Sequence, residues 1–115
     1  MKHVCTTLLL LIAVSSAPTF AADAEAGLLA IKALGDVNGQ ALACAETRVA
    51  ARAKQLMLAH APKTQRFGAA YEEATQEAFT AQTRSGKPCA DATELTARLN
   101  QLALQLSETL PVAAK

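Results

Sequence analysis

The stretch LACAETRVAARAKQLMLAH, residues 42–60, decides the fold of this chain. Residues at spacings of three and four place one stripe on a single helical face: Leu42, Ala45, Val49, Ala53, Leu56 and His60. Three basic residues lie off this stripe, where they can remain in water: Arg48, Arg52 and Lys54. The stretch therefore predicts a helix that buries one face against the rest of the protein.

The composition of the whole chain favours helices that pack closely on one another. Hydrophobic residues make up 51% of the 115 residues, but only 3% are aromatic and there is no tryptophan. Alanine and leucine supply most of the apolar content, and both favour helix over sheet. The formal net charge of +1 gives no support to binding of nucleic acid or of an anionic membrane surface. A chain of this length forms one domain.

The N-terminal residues 1–21 have the pattern of a secretory signal peptide. A basic start is followed by a mostly apolar run, residues 4–14, and the small residues Thr19 and Ala21 fit a signal-peptidase site. We expect a mature protein that begins at Ala22 and is periplasmic or secreted. The alternative is an uncleaved membrane anchor, but the apolar run is shorter than the roughly 20 residues that a spanning helix needs.

Cleavage of this segment leaves two cysteines, Cys44 and Cys89, which allow one intramolecular pairing. In an oxidising compartment we expect them to form a disulfide. The bond would close a loop of roughly 45 residues and, in the chain-entropy model, stabilise the fold by about 4 kcal/mol. A redox-active dithiol is the alternative, but such pairs usually have close spacing such as Cys-x-x-Cys, which this chain lacks.

The segment GDVNG, residues 35–39, is open to two interpretations. Glycine ends helices and Asp or Asn caps the next one, so the segment predicts a break after a first helix over residues 23–34. Two glycines within five residues are costly inside a helix, which favours this break. The alternative fuses the first two helices into one long helix. The spacing of three and four residues continues from Ile31 through Gly35 and Asn38 to Leu42, and glycine would then lie at a close contact between helices.

Two further helices follow a break at Pro62. Thr64 can cap the third helix, and the residues DATE, which begin at Asp91, resemble a capping box that opens the last one. The last helix has the cleanest apolar stripe: Leu95, Leu99, Leu102, Leu106 and Leu110. These features predict an all-α fold, a small four-helix up-down arrangement over residues 22–111 with a disordered tail over residues 112–115.

Charge predicts which helices are neighbours. From Glu46 to Arg66 there are five basic residues and one acidic residue. The third helix then carries three acidic residues without a basic counterpart: Glu72, Glu73 and Glu77. A short connection makes the second and third helices antiparallel, so we expect their opposite charges to face each other along a shared seam.

Met57 and His60 are the candidate metal ligands of the chain. They lie three residues apart on one helix, and a thioether with an imidazole suits copper. Two ligands do not complete a site, however, and His60 is the only histidine after signal-peptide cleavage. The alternative is a core methionine beside a histidine at a helix C-terminus, where a positive charge is favourable.

Nothing in the sequence predicts an enzyme or a cofactor. Glu73 and Glu77 share a helical face, but they lie opposite the apolar stripe and are therefore expected to be solvated. Acid/base catalysis by paired carboxylates needs burial or a partner that separates their pKa values. One mature histidine leaves no Ser-His-Asp arrangement, and there is no glycine-rich phosphate loop.

Three segments carry a resemblance to a group of proteins: NGQALAC at residues 38–44, APKTQRFG at 61–68 and CADA at 89–92. They resemble segments of small, secreted, disulfide-stapled helical proteins of bacteria with no assigned activity. The resemblance spans residues 28 to about 110. It implies the helices and the disulfide, and it implies no catalytic residue.

The sequence therefore predicts a non-enzymatic exported protein that binds another exported protein through a helical face. A homodimer is a second option for the partner. The alternative function is a small periplasmic protein that handles a ligand or a metal such as copper through Met57 and His60. We expect no binding of nucleic acid and no membrane span after cleavage.

Overall fold

The computed structural model describes residues 20–112 of the chain. Its four α-helices are α1 (Phe20–Ala43), α2 (Thr47–His60), α3 (Gln65–Ser85) and α4 (Ala92–Thr109). The predicted all-α fold with four helices is confirmed, and residues 20–112 contain no strand. The predicted signal peptide lies outside the described residues except for its last two, which begin α1, and residues 113–115 of the tail also lie outside.

Contacts between the helices establish the up-down order. Along the contact between α1 and α3, residue numbers rise in the same direction, so these two helices are parallel. Along the contact between α1 and α4, residue numbers rise in opposite directions, so these two helices are antiparallel. The pairs that show this are Gly35 with Ala74 and Gly39 with Ala78 for α1 and α3, and Gly27 with Leu110 and Asp36 with Arg98 for α1 and α4. None of the described helices is long and apolar enough to cross a membrane.

The predicted helix break at residues 35–39 is wrong, because α1 continues through this segment to Ala43. Gly35 and Gly39 lie one turn apart on the face that meets α3, and their missing side chains let the two backbones touch. A Cβ atom on Gly35 would lie 2.5 Å from the carbonyl oxygen of Tyr71, and one on Gly39 would overlap that of Thr75. The packing gained by this approach offsets the low helix propensity of glycine.

The break between the first two helices falls instead at residues 44–46, inside the predicted central helix. The fused-helix alternative is therefore right through the glycines and wrong beyond them. Hydrogen bonds of a Schellman motif end α1: the Glu46 N–H donates to the Ala41 carbonyl at 2.8 Å, and the Ala45 N–H to that of Leu42 at 3.4 Å. Ala45 has a φ of 56°, the left-handed conformation that glycine usually supplies at this position.

The core surrounds α1, which packs against all three other helices. The largest fully buried side chains of α1 are Ile31, Leu34 and Val37. Opposite them, the predicted leucine stripe of α4 is confirmed, since four of its members are buried and the fifth is half-buried: Leu95, Leu99, Leu102, Leu106 and Leu110. The Asp91 side chain caps α4 by accepting a hydrogen bond from the Glu94 N–H at 2.8 Å, as the capping-box pattern predicts.

α3 packs mainly against α1, and the predicted charge seam between α2 and α3 is wrong. The two ion pairs within residues 20–112 both involve α1: Arg66 with Glu25 and Arg98 with Asp36. The glycine contact explains the difference, because it draws α3 onto α1. α2 packs instead against α1 and α4, where the Arg52 guanidinium donates to the side-chain oxygen of Asn100 at 2.6 Å.

The predicted disulfide between Cys44 and Cys89 is confirmed, with the two Cα atoms 5.9 Å apart. It ties the turn between α1 and α2 to the segment that precedes α4. The fold is thus closed at this end by a covalent bond. At the opposite end, the His60 ring at the end of α2 contacts the carbonyl oxygen of Leu110 at the end of α4.

Candidate functional site

An apolar groove opens between α2 and α3 above the C-terminal half of α1, and we term it the α2–α3 groove. Its volume is about 420 Å³. The residues that line it come from three helices: Asn38 and Leu42 from α1, Thr47, Ala50, Ala51 and Lys54 from α2, and Tyr71 from α3. The groove exists because α3 is drawn onto α1 by the glycine contact and does not close against α2.

Leu42 is the large apolar residue exposed in this groove, with 50% of its surface accessible. α1 ends one residue later, so no further turn of helix covers it. The α2 wall consists of small side chains, Ala50 and Ala51, which leave the floor accessible. Leu58 lies one turn beyond Lys54 on the same face of α2 and is 58% exposed, so it extends the apolar surface along the helix.

Lys54 is the one charged residue in the lining of the groove. Neither of the ion pairs within residues 20–112 involves it, and α2 contains no acidic residue that might pair with it. Arg48, another exposed cation of α2, also lies outside those two pairs. The groove therefore presents an apolar surface with a positive charge on its α2 side.

The polar side of the groove floor is held by hydrogen bonds between α1 and α3. Asn38, only 8% exposed, donates from Nδ2 to the Thr75 hydroxyl oxygen at 3.2 Å, and that hydroxyl donates to the Tyr71 carbonyl at 2.8 Å. The Tyr71 hydroxyl itself is buried and has no hydrogen-bond partner among the described residues. Burial raises the pKa of Tyr71 to about 12.

Ionisation of Tyr71 should make stability fall with rising pH between about 10 and 12. The unfolded chain releases this proton near pH 10, whereas the folded protein holds it until about pH 12. The free energy of unfolding therefore decreases as the pH rises across that interval. Because Tyr71 is the single tyrosine, tyrosinate absorbance reports its ionisation alone. Tyr71→Phe should flatten the pH dependence of unfolding in this range. A tyrosinate midpoint near 10 in the folded protein would contradict the burial of the hydroxyl.

The candidate metal ligands Met57 and His60 are both half-buried. His60 Nδ1 lies 2.7 Å from the Leu110 carbonyl oxygen and donates its proton there, which leaves Nε2 as the nitrogen available to a metal. No group of three or more His, Cys, Asp or Glu suited to a metal ion occurs in the part of the chain that the structure describes. Copper binding through Met57 and His60 stays a prediction.

Glu73 and Glu77 are exposed, as the helical pattern predicts. They line a second cavity of about 380 Å³ between α1 and α3, whose other charged residues are Lys32 and Asp36. The lining thus mixes both signs of charge. It lies on the flank of α3 away from the α2–α3 groove.

Sequence reasoning missed the α2–α3 groove because it assigned Leu42 to a buried stripe and expected α3 to close against α2. A signal was nevertheless present. Gly35 and Gly39 are four residues apart, and so are Ala74 and Ala78, and small residues at this spacing allow two helices to approach closely. Comparison with known proteins returned no match to a protein-family model, a curated protein or a solved structure. What the structure establishes is a small helical protein with one disulfide.

Proposed function

We propose that the protein is a non-enzymatic, exported binding protein that holds a helical segment of a partner protein in the α2–α3 groove. The observation that carries this proposal is the half-exposed Leu42 on an apolar surface that α1, α2 and α3 build together. A groove of this kind suits an amphipathic helix, which lays its apolar face into it. Exposed apolar surface bordered by polar residues is typical of protein-binding sites.

The charge on the groove indicates the chemistry of the partner. Lys54 and Arg48 lie outside the ion pairs of the described region, so an acidic residue at the edge of the partner helix would find a free cation. The alanines of the α2 wall leave room for medium-sized apolar side chains of the partner. We therefore propose an amphipathic helix with an acidic flank. Complementary charge of this kind favours encounter and fixes orientation.

Export is supported by two features of the chain. The first 21 residues have the three-part pattern of a signal peptide. The Cys44–Cys89 bond is of a kind that persists in oxidising compartments such as the bacterial periplasm.

Site-specific photo-crosslinking in cells tests the proposal. A photoreactive amino acid at Ala51, inside the groove, should capture a partner that one at Ala97, exposed on α4, does not. Mass spectrometry of the adduct should locate the crosslink in an amphipathic helix with acidic residues. Crosslinking from both positions alike, or only to lipid, would contradict the proposal.

Two matched leucines then test the groove quantitatively with the captured segment as a synthetic peptide. Leu42→Ser should weaken its binding by about tenfold, which corresponds to about 1.4 kcal/mol. Leu104→Ser, at a leucine that is 70% exposed on α4 and outside the groove, should leave the affinity unchanged. Lys54→Glu should also weaken binding of the peptide, and the loss of affinity should be larger at low salt than at high salt, because salt screens the charges. Equal losses for the two leucine variants would exclude the groove as the site.

A further inference from the structure

The turn between α1 and α2 contains none of the residues that usually end a helix. It consists of Cys44, Ala45 and Glu46, with no glycine, proline or asparagine. Ala45 has a φ of 56°, a left-handed conformation that is unfavourable for most residues with a side chain. Alanine is also the strongest helix former. The local sequence therefore prefers a continuous helix to the turn that the fold contains.

The spacing of apolar residues along α1 continues across this turn into α2. The buried residues Ala41, Val49 and Ala53 are separated by multiples of four, and Ala45 completes the series. In a continuous helix these residues would share one face. In such a helix α2 could no longer fold back on α1 of the same chain. The apolar faces of α1 and α2 would then be exposed unless a second copy of the chain covered them.

The disulfide holds the turn in place. It bonds Cys44, in the turn, to Cys89, in the segment before α4, and so fixes the end of α1 against the remainder of its own chain. Cys89 is exposed, so a thiol reductant can reach the bond. A dithiol reductant would give two cysteine thiols and itself become a disulfide, with two electrons and two protons transferred.

We propose that the α1–α2 turn is a hinge locked by the disulfide, and that its reduction lets two copies of the chain exchange α1. Residues 20–60 of each copy then form one continuous helix, and α1 of one copy packs on α2, α3 and α4 of the other. The exchange keeps the contacts of α1 with the other three helices, including the glycine contact with α3, and removes the left-handed conformation of Ala45. Short strained connections are the kind that favour such exchange. This inference is independent of the proposed groove function.

The test compares the oxidised protein with the Cys44→Ser/Cys89→Ser variant and with protein reduced by dithiothreitol. After refolding at high protein concentration, light scattering should show a dimer for the two bond-free forms and a monomer for the oxidised one. Spin labels at the exposed residues Lys32 and Gln55 of one copy, diluted with unlabelled protein, should lie about 35 Å apart in the dimer, as expected for about 23 residues of continuous helix.

Glycine substitution separates this hinge from other routes to a dimer. Ala45→Gly in the bond-free protein favours the turn and weakens the fused helix, so it should raise the dimer dissociation constant at least about tenfold. Ala97→Gly, at an exposed position of α4 that is helical in both forms, should leave it unchanged. A bond-free chain that stays monomeric, unfolds without dimerising, or dimerises with no response to Ala45→Gly would overturn the proposal.

Discussion

Replacing both Gly35 and Gly39 by alanine should lower the free energy of unfolding by about 4 kcal/mol. Overpacking at a buried site costs up to about 3 kcal/mol, and the upper end applies here because the new methyl groups meet backbone atoms of α3. Alanine returns about 1 kcal/mol of helix propensity at each position, which offsets only part of this cost. The contacts affected are those of Tyr71 and Thr75, so α3 must move away from α1 to admit the methyl groups.

Gly68 provides the matched control for this experiment. It lies within α3, and a Cβ atom built there would have no neighbour within 4 Å. Gly68→Ala should therefore stabilise the protein by about 0.5–1 kcal/mol through helix propensity alone. Denaturant unfolding of the three proteins measures both effects. If the Gly35/Gly39 variant gained stability as the Gly68 variant does, the close contact between α1 and α3 would be refuted.

Removing the disulfide by Cys44→Ser/Cys89→Ser should destabilise the monomer by about 2–5 kcal/mol, the usual loss for a small domain. The bond spans 45 positions of the sequence, for which loop-closure entropy gives about 4 kcal/mol. Unfolding should be measured at low protein concentration, where exchange between copies is disfavoured. Reduced wild-type protein serves as the control and should show the same loss. A loss below about 1 kcal/mol would mean that the closed loop is already constrained in the unfolded chain.

Features set by short-range chemistry could be predicted from the sequence. The leucine stripe of α4, the Asp91 cap and the Thr64 cap each depend on residues within a few positions of one another, and the structure confirms all three. The disulfide could be predicted because removal of the predicted signal peptide would leave two cysteines, which allow one pairing. None of these inferences required knowledge of which helices touch.

The path of α1 could not be predicted in the same way, because its determinants lie far along the chain. Gly35 and Gly39 break a helix by local propensity, and only the surface of α3, some 40 residues later, makes a helix favourable there. The turn at Ala45 has the opposite character. Ala45 and Glu46 favour a helix locally, and the disulfide and the packing of the helices hold the turn. The α2–α3 groove follows from both features, and so it was missed with them.

The central position of α1 also bears on when the chain can fold. α1 is synthesised first, yet its partners lie on helices made much later, as the 62-residue separation between Asp36 and Arg98 shows. Alone, a segment with two internal glycines is a poor helix, since each glycine costs about 1 kcal/mol relative to alanine. Most of the stability of a helix in a protein comes from the packing of its apolar face, and α1 lacks that packing before its partners are made. An incomplete chain therefore cannot close the bundle until α4 is available. For a protein exported as we propose, this keeps the growing chain unfolded, and so competent for transport, until its synthesis is nearly complete.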